Sequence, residues 1–343
     1  MAIQRYSAQL QAAYSELVEQ LSQAEIEQLA QHEGSFGSKT VKGIKYWYFR
    51  RRVGDKYDER YLGPETPELL ACIKTLKVKA GQAKEAAKAR RGLIRQLRAG
   101  GYLTPDRRTG RVLEELARAG VFRLNGVLVG THAFRCYAAL LGVKLEMQLA
   151  LTADVDIAQD VSVSLAITDT ADPALGDALA AAEKFIAIPA LNLKSPSSGW
   201  QTPDRQLRVD VLTPEVGKPT RRNVALPILG AYAKPLRFLD FLLAEAARAA
   251  VLTGSGVLVR VPTPARYALH KLVVAQRRDT SARDKVRKDL GQAAALLRVL
   301  LEDELDEVLD AWADLIARGK TWRQNALRSL KQLPEEIQRT LHA

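Results

Sequence analysis

Between Val121 and Pro262 short β-prone runs alternate with helical ones, and beyond Pro264 the pattern is helical to the end. "FRLNGVLVG" leads directly into the helix-like "THAFRCYAALLGV", while "TADVDIA", "RQLRVDVLTP" and "GVLVRVPTP" are apolar, β-branched runs of strand length. "DPALGDALAAAEKFI" and "PLRFLDFLLAEAARAAVL" read as largely helical. This order predicts an α+β protein: a sheet core with helices packed on it over residues 101–262, then a helical domain over 263–343. The terminal helices are expected at about 264–278, 281–301, 303–318 and 320–341.

The first hundred residues differ. Leu10, Tyr14, Leu17, Leu21 and Ile26 recur at helical spacing, so 7–32 is expected to be an amphipathic helix ended by Glu33-Gly34-Ser35. "KTVKGIKYWYFRRRVGDKYDERYLGPE" carries an aromatic run, Tyr46 to Phe49, and a Gly54-Asp55 turn signal, which predicts a β-hairpin. Thr66-Pro67 opens and Gly100-Gly101 closes a long basic helix. Residues 1–100 therefore read as a basic helix, hairpin and helix arm.

Charge is concentrated in that arm. Residues 35–100 hold 17 Lys and Arg against 6 Asp and Glu, nearly all of the chain's +12 net charge. Such a patch suits a polyanion, most simply nucleic acid, although a solubilising helix face has the same composition. The aromatic rings interleaved with Lys and Arg can stack bases or pack the hairpin. No apolar run is long enough to span a membrane or to form a signal peptide, and Cys72 and Cys136 lack partners at metal-ligand spacing. A cytoplasmic protein with reduced thiols is expected.

Asp is disfavoured in strands, yet Asp154 and Asp156 sit two residues apart in one. Either they mark a solvated strand end or they form a site. On a strand they share a face, with Val155 and Ile157 turned to the core. Two carboxylates this close repel unless a cation neutralises them, and Mg²⁺ takes such hard oxygen ligands. Asp210, flanked by Val209 and Val211, offers a third on another strand. In "VLVGTHAF" a strand ends at Gly130-Thr131 where a helix begins; Gly lets a phosphate approach and Thr131 offers a hydroxyl, or serves as an ordinary N-cap.

This arrangement resembles the nucleotidyltransferase superfamily related to DNA polymerase beta. More closely, "GRVLEELARAGVFRLNGVLVGTHAF", "TADVDIA", "RVDVLTP" and the hairpin segment look like a bacterial family of nucleotidyltransferase-fold proteins. Thr131 stands where the superfamily usually has Ser. The resemblance implies a mixed-sheet core in which Asp154, Asp156 and Asp210 hold two Mg²⁺ ions. Asp210 would also help deprotonate the attacking hydroxyl, and Gly130 and Thr131 would hold the triphosphate. "ARYALHKLVVAQRRDTSARDKVRKDL" looks similar to helices of abortive-infection-type nucleotidyltransferase toxins. That likeness implies that Lys271 contacts nucleotide phosphates and that a Lys288-Asp289 pair lies near the site; otherwise Lys271, Arg277, Arg278 and Lys288 are ordinary basic positions on exposed helix faces. The expected substrate is an NTP, such as ATP, and the expected acceptor is nucleic acid, with tRNA in a toxin-antitoxin setting as the form the resemblance implies. The alternatives are a catalytically silent nucleic-acid-binding protein on the same fold, or a transferase acting on protein hydroxyls.

Other motifs carry less. Ile157 and a missing Gly exclude an EF-hand around Asp160, and "TGSGV" lacks the Lys-Ser/Thr of a P-loop. His132 is placed to touch a nucleotide, to cap or to pack. Trp200 and Arg205 lie in a polar loop before Asp210 and can frame a substrate, or simply belong to the surface.

Overall fold

The computed structural model describes residues 3–29, 35–41, 44–53, 56–166, 169–190, 192, 195–215, 217, 222–278 and 282–342. The expected stop at Glu33-Gly34 and the turn at Gly54-Asp55 lie outside these residues, as do the side chains of Ile26, Tyr46, Phe49 and Cys72.

Helix α1 (Ala8–Leu29) and the 33-residue α2 (Pro67–Ala99) flank a small sheet of β1 (Ser35–Val41), β2 (Ile44–Val53) and β3 (Lys56–Pro64). The expected hairpin is thus a three-stranded antiparallel meander, with a bulge between Trp47 and Tyr48. The additional strand is β1, a polar run with no apolar alternation to announce it. Thr66 caps α2 by accepting from the Leu69 N–H at 3.2 Å. Tyr14, Leu17 and Leu21 of α1 form a second core with Ile94 and Leu97 of α2, Tyr102 and Leu252.

After α3 (Arg107–Arg118) comes the large sheet, with β4 (Val127–Val129), α4 (Gly130–Leu140), β5 (Asp154–Ala158), α5 (Val161–Ala166), α6 (Leu175–Ala182), β6 (Ile186–Ala187), β7 (Gly199–Gln201) and β8 (Arg208–Pro214). β9 (Val224–Leu226), β10 (Ala231–Leu236), α7 (Leu239–Leu243), β11 (Ala246–Val251) and β12 (Val257–Pro262) complete it. The strand order is β11-β12-β4-β5-β8-β10-β9, with β7 also pairing β8 and β6 pairing β7. The sheet is mixed: β5 runs parallel to β8 and antiparallel to β4. Tyr14 of α1 docks on its edge, its hydroxyl accepting from the Ala250 N–H at 2.9 Å.

The largest departure from expectation is 235–252. Its Ala and Leu content favours helix, but only the five-residue α7 forms, and Ala246–Val251 pairs in register with β12. Pairing and burial of Ala249, Ala250 and Val251 override local propensity. "FRLNGVLVG" is strand only over 127–129, because a turn with Asn125 at φ 63° precedes it. The C-terminal helices are α8 (Pro264–Ala275), α9 (Arg283–Asp303), α10 (Leu305–Ala317), α11 (Lys320–Leu330) and α12 (Glu335–His342). The last expected helix is therefore two, divided just before and at Pro334. Among the described residues, no helix is long and apolar enough to cross a membrane.

Candidate active site

Alternation on two central strands builds the acidic face. Val155 and Ile157 of β5 and Val209 and Val211 of β8 are fully buried, which turns the intervening residues the other way. In the parallel β5–β8 register Asp156 lies beside Asp210, and Asp154 beside Arg208. Three carboxylates and one guanidinium thus share one face at the strands' N-terminal halves. On the other side of β5, Asp156 is paired with Val129, the last residue of β4.

Two glycines make room for the carboxylates. Gly130 has φ +65°, and a Cβ there would fall 2.4 Å from Asp156 Oδ2. A Cβ on Gly199 of β7 would fall 2.5 Å from Asp210 Oδ1. Any side chain at Gly130 would meet both this contact and left-handed backbone strain. Gly199 was not marked by the sequence, because its own strand is only three residues long.

Helix α4 starts at Gly130 with Val129 as its N-cap and no side-chain cap. Thr131 therefore lies inside the first turn and does not cap, which leaves its hydroxyl and the first N–H groups open to an anion. The Tyr267 hydroxyl lies 2.9 Å from the Gly130 carbonyl oxygen and 3.0 Å from Gln292 Oε1, tying α8 and α9 to this turn.

The charges are unevenly met. Burial, reinforced by the charges of Asp210 and Asp154, pushes Asp156 up to about 6 despite Lys271 and Arg208 nearby. Asp210 is held by Arg208 in a two-pronged pair, with Nε to Oδ2 at 2.6 Å and Nη2 to Oδ1 at 2.9 Å. Asp154 is exposed. Arg208 was not singled out in the sequence, although its place two residues before Asp210 puts it on the same strand face.

Lys271 and Asp289 are not on exposed helix faces. Lys271 Nζ donates to Asp289 Oδ1 at 2.6 Å, Arg278 Nε donates to Oδ2 at 3.0 Å, and both Lys271 and Asp289 are buried between α8 and α9. Burial alone would raise Asp289, but the two cations and their hydrogen bonds outweigh it and lower the carboxyl below its ordinary range. Lys288 donates to the Leu151 carbonyl, Gln292 to that of Leu149 at 2.7 Å and Arg135 to that of Ala150 at 2.7 Å. Together they clamp the segment that delivers Asp154.

Burial holds His132 neutral, its imidazole lowered to about 3, and its Nε2 has no hydrogen-bond partner. Trp200 packs against the main core, and Arg205 occupies a left-handed turn at φ 58°. Among the described residues, no three His, Cys, Asp or Glu side chains converge as a ready-made metal cage. The donor chemistry nonetheless fits a divalent ion: hard oxygens on one face, one of them carrying an uncompensated charge. Arg208 occupies both oxygens of Asp210.

Residues 107–317, more than half of the chain, match a family model described as Nucleotidyltransferase, and residues 7–71 match one described as Domain of unknown function (DUF6788). No curated protein and no solved structure gives a significant match.

Proposed function

Because this chain belongs to the nucleotidyltransferase family, we propose that it transfers a nucleoside monophosphate from an NTP to an acceptor hydroxyl, on a polymerase beta-like core. The observation that carries this reading is the register of Asp156 with Asp210, beside the uncapped N-terminus of α4. The triphosphate would lie on the first N–H groups of α4, with Gly130 allowing close approach and the Thr131 hydroxyl donating. Lys271 can keep Asp289 and still offer a proton to a phosphate, since an ammonium has three donors.

Asp154, Asp156 and Asp210 would hold Mg²⁺. Bound there, a pair of ions supplies charge stabilisation to the attacking and leaving oxygens. The acceptor oxygen forms a bond to the α-phosphorus, the bond from that phosphorus to the bridging oxygen breaks, and pyrophosphate leaves. Asp210 takes the hydroxyl proton once Arg208 has turned away.

The basic arm supports nucleic acid as the acceptor. Addition to the end of a tRNA would block its use in translation, which is the effect expected of a toxin. The test is incubation with α-labelled NTPs, Mg²⁺, total RNA and total protein. Label in RNA from the wild type, and none from Asp154→Ala or Asp156→Asn, is the expected result. Equal labelling by all three proteins would overturn the metal-ligand assignment, and label confined to protein would move the acceptor to protein hydroxyls.

A further inference from the structure

Part of the arm's basic charge is ordered along one helix face. Lys84, Lys88, Arg91, Arg95 and Arg98 recur on α2 at alternating steps of four and three, and all five are exposed. That spacing keeps them on one helix face. Ile94 and Leu97 face the second core instead. At 1.5 Å per residue the stripe is about 21 Å long, the rise of about six nucleotides in one strand of a duplex.

The stripe ends in a cleft. Arg98, the last of the five, also lines a cavity of about 610 Å³ with Tyr102, Arg107, Arg111 and the Thr253-Gly254 turn. Arg98 is fixed there by a 2.7 Å hydrogen bond from its Nη2 to the Leu252 carbonyl. Both acids of the cleft are already engaged. Asp106 caps α3, accepting from the Thr109 N–H at 3.0 Å and the Thr109 hydroxyl at 2.6 Å. Glu114 accepts from the Thr253 hydroxyl at 2.7 Å. Among the described residues, Arg91, Arg95, Arg107 and Arg111 have no carboxylate partner. Tyr102 is only 4% exposed, and its hydroxyl has no hydrogen-bond partner. An orphaned buried donor beside unpaired arginines is the signature of an anion site.

We propose that the cleft between α2 and α3 seats a phosphate of a nucleic-acid strand whose backbone tracks along the basic stripe of α2. This rests on the reading of nucleic acid as acceptor, but not on the transfer chemistry. The track leads from the arm towards the junction with the family-matched region, which begins at residue 107.

Binding is tested in full-length protein carrying Asp154→Asn, so that no turnover occurs, by anisotropy of a short fluorescein-labelled RNA between about 50 and 200 mM salt. Losing two phosphate contacts should lower the salt slope by about 1.4 and weaken binding roughly tenfold at 0.15 M salt. Arg107→Ala with Arg111→Ala, and Arg91→Ala with Arg95→Ala, should each do this. Arg323→Ala with Lys331→Ala removes the same charge from the exposed C-terminal helices and should change little. Tyr102→Phe should weaken binding by a few-fold without lowering the melting temperature, since that hydroxyl bonds nothing in the free protein. Unchanged slopes in both arginine pairs, or equal effects in the control pair, would overturn the proposal. So would displacement of RNA by polyglutamate at equal charge, which would make the partner an acidic protein. RNA binding that survives while the labelling assay fails would remove the transfer reading and leave this one standing.

Discussion

Two aspartates little exposed to solvent lie near Lys271 of α8 and are treated in opposite ways. Asp289 is met by Lys271 at 2.6 Å and by Arg278 at 3.0 Å, and its carboxyl is lowered. Asp156 has two carboxylates for neighbours and no cation bonded to it, and its carboxyl is raised to about 6. The first cluster is complete as it stands and fastens α8 to α9. The second is incomplete, and what it lacks is positive charge. Carboxylates raised in this way cluster at functional sites, and a cation bound here would supply the balance.

Removing each acid should therefore have contrary effects. Asp156→Asn should lower nucleotidyl transfer on the order of 10³-fold, the loss typical of a group that stabilises transition-state charge. Steady-state rates with labelled NTP check this, and circular dichroism should show an intact fold. Asp289→Ala should instead cost about 3–5 kcal/mol of stability, because it strands a buried Lys271. Urea unfolding measures that loss, and adding Lys271→Met should recover most of it. If Asp289→Ala unfolds no more easily than the wild type, the contrast between a structural and a functional cluster fails.

The pH dependence sharpens the same comparison. A raised carboxyl favours its protonated form in the folded state. Its contribution to stability is full below the ordinary value of 3.8 and is lost as pH rises through about 6. Metal-free wild type should thus lose about 3 kcal/mol relative to Asp156→Asn between acid and neutral pH. Asp289 works the other way: its stabilisation is present above the ordinary carboxylate range and is lost on acidification. Unfolding at several pH values, with and without Mg²⁺, separates the two. Mg²⁺ should restore stability to the wild type at neutral pH and do nothing for Asp156→Asn.

These two clusters were not equally legible in the sequence. Asp154, Asp156 and Asp210 could be read because each interrupts a β-branched run, and period-two alternation then fixes its face. The same rule places Arg208 beside them, but a basic residue at a strand end draws no notice. Burial of Lys271 was readable in principle: "PARYALHKLVVA" is apolar around most of its circumference, so a Lys within it must find a partner. Gly199 and the pairing of β11 with β12 were not readable, because strand partners come from tertiary contacts. Ala246–Val251 has helix-forming composition, and only the edge of the sheet makes it a strand. The stripe on α2 was legible as charge and as helix, but its convergence on the cleft depends on how α3 and the Thr253-Gly254 turn are brought to its end.

Arg208 gives the smallest effect and the finest distinction. Its side chain is 49% exposed, so its pair with Asp210 contributes at most about 1 kcal/mol to folding. Arg208→Gln should leave urea unfolding nearly unchanged. Its guanidinium nevertheless occupies both oxygens of Asp210, the oxygens that a divalent ion would need. Freed of that competitor, the face should bind Mn²⁺ up to about fivefold more tightly, the equivalent of the same 1 kcal/mol. Titration calorimetry on the nucleotide-free protein reads this directly. Weaker Mn²⁺ binding in Arg208→Gln would mean that the arginine instead holds Asp210 in its working position, and the site would then be organised before the metal arrives.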